Sequence, residues 1–135
     1  MSYTGKGIVH NFFAIVIGVV IAFLIILPVW FFTVFATFSF GETPKSTELV
    51  TNIILIATVM FGCFQAGHFS ARNTVDKSIL PVIITSLTLL FLDLKLNNFD
   101  IKYTTTTEII RLVLIVPLTI IGGHYCLRKK VIYRD

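Results

Sequence analysis

Polar and apolar positions in this chain are sorted into long blocks. Residues 7–41 hold no Asp, Glu, Lys or Arg over 35 positions, and a helix crosses a bilayer with about 20. Residues 49–71 form a second charge-free block of 23. The blocks at 78–96 and 109–127 are shorter, with Asp93 and Lys95 near the end of one and Arg111 near the start of the other. The pattern predicts four membrane-spanning helices at 11–36, 49–71, 78–96 and 109–127, all within one domain over 1–135. The fold class is thus an all-α integral membrane protein, a four-helix transmembrane bundle.

The first apolar block is far longer than the h-region of a signal peptide, and Lys6 is the one basic residue before it, so it reads as an uncleaved span. Its end, from Trp30 through Phe31, Phe32, Phe35, Phe38 and Phe40, is rich in rings that favour the membrane interface. Pro28 is a candidate kink, because proline removes one helical hydrogen bond.

Composition strengthens the membrane reading. Of 135 residues, 56% are hydrophobic and 13% charged, against about 25% charged in soluble domains, and mean hydropathy is +0.90. Cys63 and Cys126 fall near the ends of apolar blocks and read as packing residues, because two cysteines make no disulfide framework of the secreted kind. The net charge of +4 does not point to nucleic acid, because the basic residues sit beside helix ends. One side of the membrane collects Lys6, Arg72, Lys77, Arg128, Lys129, Lys130 and Arg134; the other has Lys45, Lys95 and Lys102, with Arg111 just inside. The positive-inside rule places both termini in the cytoplasm, in a cytoplasmic (inner) membrane.

The second and fourth helices share their punctuation. Each opens on Thr-Glu-aliphatic, at Thr47-Glu48 and Thr107-Glu108, and each closes on Gly-His-aromatic-x-x-Arg, at Gly67 to Arg72 and Gly123 to Arg128. Two explanations stand side by side. A duplicated helical hairpin, its copies related by an axis along the membrane normal, gives such an echo. So do the ordinary preferences of helix ends, including the capping-box spacing of Thr105 and Glu108.

Small residues mark the packing faces. Gly62, Ala66 and Ser70 are four apart, as are Cys63, Gly67 and Ala71, and Gly122 and Gly123 serve the fourth helix. Such stripes let backbones approach in lipid, where apolar burial gives no drive between helices. They suit packing within one bundle or against another subunit.

Ionisable groups at membrane depth are functional candidates. Asp93 and Arg111 lie 13 and 16 residues from the inner ends of their helices, about 20–24 Å, similar depths at which they can form an ion pair. His68 and His124 sit at matching inner ends beside Arg72 and Arg128, with Lys129 and Lys130 following. Imidazole beside guanidinium suits an anionic lipid head group or a carboxylate of a partner. Spacing for a metal site is lacking, and no cofactor is implied. Nor is there a nucleophile–base set, a phosphate loop or a His-Glu-x-x-His motif, so no enzyme is expected. The first helix lacks the membrane-embedded Glu of small multidrug exporters.

With these residues placed, the chain resembles a group of small, uncharacterised four-span prokaryotic membrane proteins. Their second helix ends Gly-Gly-x-x-Ala-Ala-Arg and their fourth ends Pro-x-x-x-x-Gly-Gly before a basic tail. The matching residues are Ala66 to Arg72, with Ala66 in place of the first glycine, and Pro117 to Gly123. A fainter likeness, through Arg128-Lys129-Lys130-Val131-Ile132-Tyr133, is to the GtrA-type family, which is linked to flipping of lipid-linked sugars. The first likeness implies a bundle and the second a transporter. The expected function is that of a non-enzymatic accessory or scaffold subunit packing against itself or a larger membrane partner. The alternative is an oligomeric channel or transporter for an ion or lipid-linked solute.

Overall fold

The computed structural model describes residues 5–40, 45–74, 78–96 and 106–132, with the side chains of residues 6, 37, 38, 40, 45–48, 106, 107 and 130–132 outside them. The tails, the Thr105 cap and the connections carrying Glu42, Lys77, Asp100 and Lys102 also lie outside the described residues. Within them the chain is all-helical: α1 (Gly5–Phe40), α2 (Lys45–Arg72), α3 (Leu80–Leu96) and α4 (Thr106–Ile132). Blocks and helices coincide closely: α1 holds 7–40 and α2 holds 49–71, α3 begins at Leu80 and ends with its block at Leu96, and α2 and α4 run several residues past theirs. Three helices, α1, α2 and α4, are long and apolar enough to cross a membrane. With 17 residues, α3 is about 25 Å long, a few ångströms under the hydrocarbon thickness.

The ends follow local chemistry. α1 continues as a helix through Pro28. In α3, Pro81 occupies the first turn, where a missing N–H costs nothing, and the Leu80 N–H donates to Ser78 Oγ at 3.2 Å. α2 stops where side chains take over its last carbonyls. Asn73 Nδ2 donates to Phe69 O and Thr74 Oγ1 to Ala71 O, each at 2.8 Å.

Packing order is set by the small residues. α2 touches all three other helices, α3 does likewise, and α1 and α4 do not meet among the described residues. Around the bundle the order is α1–α2–α4–α3. Like helices are neighbours, α1 beside α3 and α2 beside α4. A two-fold axis along the bundle would instead put α1 across from α3 and α2 across from α4, so the two hairpins lie side by side without that axis.

The layer at the centre is built from Ala22, Cys63, Ala66, Leu89 and Ile115, all buried. α1 reaches it with Ala14, Gly18 and Ala22, a four-spaced small stripe of its own. A Cβ on Gly18 would lie 2.9 Å from the Ala66 carbonyl oxygen. A smaller cluster of Ala71, Val82 and Cys126 closes the other end of the core. Between the two, Thr85 Oγ1 donates to Pro81 O at 2.8 Å and stands 3.1 Å from Ser70 Oγ. With its proton committed, Thr85 accepts from Ser70. This bond between α2 and α3 is fully buried, and Thr85→Val should cost about 1 kcal/mol in detergent-solubilised protein. Ser70→Ala added to it should cost nothing more; a second, additive loss on thermal unfolding would show that the bond contributes no stability.

Candidate functional site

The close approach of α2 and α4 determines what their ends can do. Gly67 lies against the backbone of Thr119 and Gly123, and Gly122 against the backbone of Phe64. The two helices run parallel, so this contact delivers both C-terminal ends to the same place. Gly123 faces α3, where a Cβ would stand 2.5 Å from Val82 Cγ1. Gly62 faces Ile26 of α1. The small residues singled out in the sequence, Gly62, Cys63, Ala66, Gly67, Ala71, Gly122 and Gly123, are all buried within one chain.

Beyond Gly67, the aromatic and basic side chains of the two helices meet. The Tyr125 ring lies 6.4 Å from His68 and 6.3 Å from Phe64 between centroids. His68 also packs edge-on against Phe69 at 5.8 Å. Lys129 Nζ stands 4.9 Å over the Tyr125 ring, a cation on a π face. Arg72 from α2 and Lys129 from α4 both lie close enough to act electrostatically on His68. His68 thus meets the aromatic partner of the second Gly-His-aromatic motif. His124 and Arg128 are exposed on α4.

Phe64 was the residue of this cluster that the sequence left unmarked, and Tyr125 was marked only as the aromatic of the second Gly-His-aromatic motif. The signal for Tyr125 was its i, i+4 spacing to Lys129, which lays a cation over a ring on a helix surface. Phe64 gave no signal, because its role depends on the register between two helices.

At the opposite end of the bundle, Arg111 Nη2 donates to Asp93 Oδ2 at 3.2 Å, joining α4 to α3. The side chains remain 24% and 21% exposed. Glu108, one turn earlier on α4, adds a second carboxylate that acts on Asp93. Between this pair and the bundle centre, the α2–α4 seam is lined by Ile56, Met60, Cys63, Leu114 and Leu118 with Arg111 beside them, and leaves no room for a water molecule. Its walls are nearly all apolar.

Five hydroxyls in the apolar stretches are turned onto their own helix, whereas Ser70 bonds across to Thr85. Thr58 donates to Ile54 O, Thr85 to Pro81 O, Ser86 to Ile83 O, Thr88 to Ile84 O and Thr119 to Ile115 O, at 2.7–2.8 Å. Among the described residues no group of three His, Cys, Asp or Glu is gathered as a metal site would require. Compared with known proteins, the chain matches no family model, no curated protein and no solved structure.

Proposed function

We propose that this protein is a four-span, non-enzymatic bundle of the cytoplasmic membrane that serves as an accessory or scaffold subunit, with both termini in the cytoplasm. The observation that carries this reading is the set of hydroxyl bonds. A conduction path needs polar groups turned towards it, and here Thr58, Thr85, Ser86, Thr88 and Thr119 donate to carbonyls of the preceding turn. Glycine-to-backbone contact at Gly67 and Gly122 further supports a solid core. In this reading α3 is the fourth span, which is supported by its packing on α1, α2 and α4, where Pro81, Val82, Thr85, Ser86 and Leu89 are buried.

The surface left for a partner is not the small-residue stripes, which are consumed inside the chain. It is the outer face of α1, where Phe12, Val16, Val20, Leu24, Leu27 and Phe31 are exposed along one side. A soluble monomer rarely shows apolar patches beyond a few hundred Å²; in a membrane this face meets lipid tails, a second copy or the helix of a larger protein. Purification from native membrane in mild detergent, followed by mass spectrometry, should recover a stoichiometric membrane partner or a homo-oligomer. A monomer without companions that passes ions or solutes across vesicles would overturn the scaffold reading in favour of transport.

A further inference from the structure

We infer that the membrane is stepped around this bundle. At the end carrying Asp93 and Arg111, the polar boundary lies about 15 Å deeper beside α3 and α4 than beside α1 and α2. Water and phospholipid head groups thereby reach the ion pair, whose side chains are 21% and 24% exposed. This goes beyond the proposed function and rests on its membrane reading. Heights along the bundle follow from contacts. Gly18 of α1 packs on Thr85 of α3, and one turn on, Ala22 shares the central layer with Leu89. A further turn along both helices makes Asp93 level with Ile26. On α4, Arg111 bonds Asp93 and lines the seam beside Met60 of α2. Past this height α1 still has the charge-free stretch 27–36 and α2 the stretch 49–58, about 15 Å each. At the same height α3 and α4 carry Asp93, Lys95, Glu108 and Arg111. One side of the bundle thus requires water where the other requires lipid.

Tilting the bundle as one body does not reconcile the two sides. The apolar stretch of α1, Gly7–Ala36, is 30 residues long, about 45 Å against about 30 Å of hydrocarbon. Fitting it by tilt alone takes about 48°, beyond the usual limit of about 40°. Such a tilt also draws Asp93, Lys95 and Arg111 towards the bilayer centre, where ionised groups are most costly. A partner helix is a poor cover for the overhang, because helices in lipid approach through small side chains. Those exposed here are bulky: Trp30, Phe31, Phe32 and Phe35 on α1 and Leu49 and Ile53 on α2 are each more than half exposed. The small stripes of both helices are consumed inside the chain, at Gly18 on Ala66 and Gly62 on Ile26. Acyl chains cover bulky side chains without such an approach. On the other side, thinning a leaflet costs little for each ångström, less than stranding four ionised groups in hydrocarbon.

The test uses the full chain in nanodiscs of dioleoylphosphatidylcholine, which leave both faces open to buffer, with single cysteines labelled by a membrane-impermeant maleimide. Native Cys63 and Cys126 are buried, so wild type sets the background. Lys95→Cys should label as fully as it does in denaturant. Phe31→Cys, within one turn of the same height, and Ile53→Cys should stay at background until denatured. Equal labelling of all three would place that whole end of the bundle in water, and equal protection would place it all in lipid. Either result overturns the step. Should a cysteine variant fail to assemble, Trp30, the one tryptophan of the chain, reads α1 without substitution. Bromine carried mid-chain on the lipid should quench it and aqueous iodide should not; quenching by iodide instead would overturn the step. Wild type that does not enter the nanodiscs defeats the membrane reading, whereas entry with even labelling defeats the step alone.

Discussion

Gly67→Ala should destabilise the bundle by about 3 kcal/mol, at the upper end of what an added methyl does in a packed core, and Gly67→Leu should keep α2 and α4 from docking. A Cβ built on Gly67 overlaps the Thr119 carbonyl oxygen, and lies 2.7 Å from the carbonyl carbon and 3.0 Å from Gly123 N. These are backbone atoms in mid-helix, so no side chain can turn aside. Relief requires the two helices to separate, which loosens dispersion contacts along the whole seam. Gly122→Ala should be as harmful, since its Cβ would overlap the Phe64 carbonyl oxygen. The other glycines supply a graded comparison. At Gly62 the nearest atom is Ile26 Cγ1, 3.0 Å away on a side chain that can rotate, and at Gly7 nothing lies within 4 Å. Gly62→Ala should therefore cost little, while Gly7→Ala should be neutral or gain from helix propensity, up to about 1 kcal/mol. Thermal unfolding in mild detergent, followed by circular dichroism, orders the four variants. A Gly67→Ala protein as stable as Gly7→Ala would show that the backbones do not touch.

How much of this was legible beforehand follows from what a bilayer demands. Lipid requires each span to satisfy its own backbone and to limit charge, so the four helices could be read from two charge-free and two charge-poor blocks. Helix length beyond those blocks was less legible, because interfacial ends such as Lys45–Glu48 and Arg128–Ile132 are polar and still helical. The small stripes on α2 announced a close approach, though not its partner. Periodicity gives the face of a helix and is silent on which helix meets it, so packing between subunits stayed open beside packing within the chain. The matching stripe Ala14, Gly18 and Ala22 on α1 obeys the same rule, although the length of α1 and its aromatic end are its more prominent features. The echo between the hairpins suggested an axis, but the order α1–α2–α4–α3 lacks it, because sequence similarity between hairpins does not set how they lie against each other. Likewise, Ser70 and Thr85 each carried a polar signal, and only the register of α2 on α3 turned them into a bonded pair.

Asp93→Asn and Arg111→Gln should each destabilise the bundle more than the two changes made together. The pair is 3.2 Å apart and about one-fifth exposed at each side chain, intermediate between a surface ion pair and a fully buried one. A surface pair contributes about 0.2–1 kcal/mol, whereas breaking a buried pair costs about 3–5 kcal/mol because a lone charge is left behind. A single substitution here should cost about 2 kcal/mol, and the coupling from the double-mutant cycle should be about 3 kcal/mol, leaving the double variant only about 1 kcal/mol less stable than wild type. Asp93→Asn leaves the Arg111 guanidinium facing an amide, with Glu108 one turn away as its remaining carboxylate neighbour on α4. Arg111→Gln removes the guanidinium bonded to Asp93 while the carboxylate of Glu108 still acts on it, and should be the worse of the two. The double variant carries no stranded charge at either position and joins α3 to α4 through neutral amides that can still hydrogen-bond. Unfolding midpoints of the four proteins in one detergent close the cycle. Losses that simply add would mean that α3 and α4 are held together at this end by packing alone, with the two charges independently solvated.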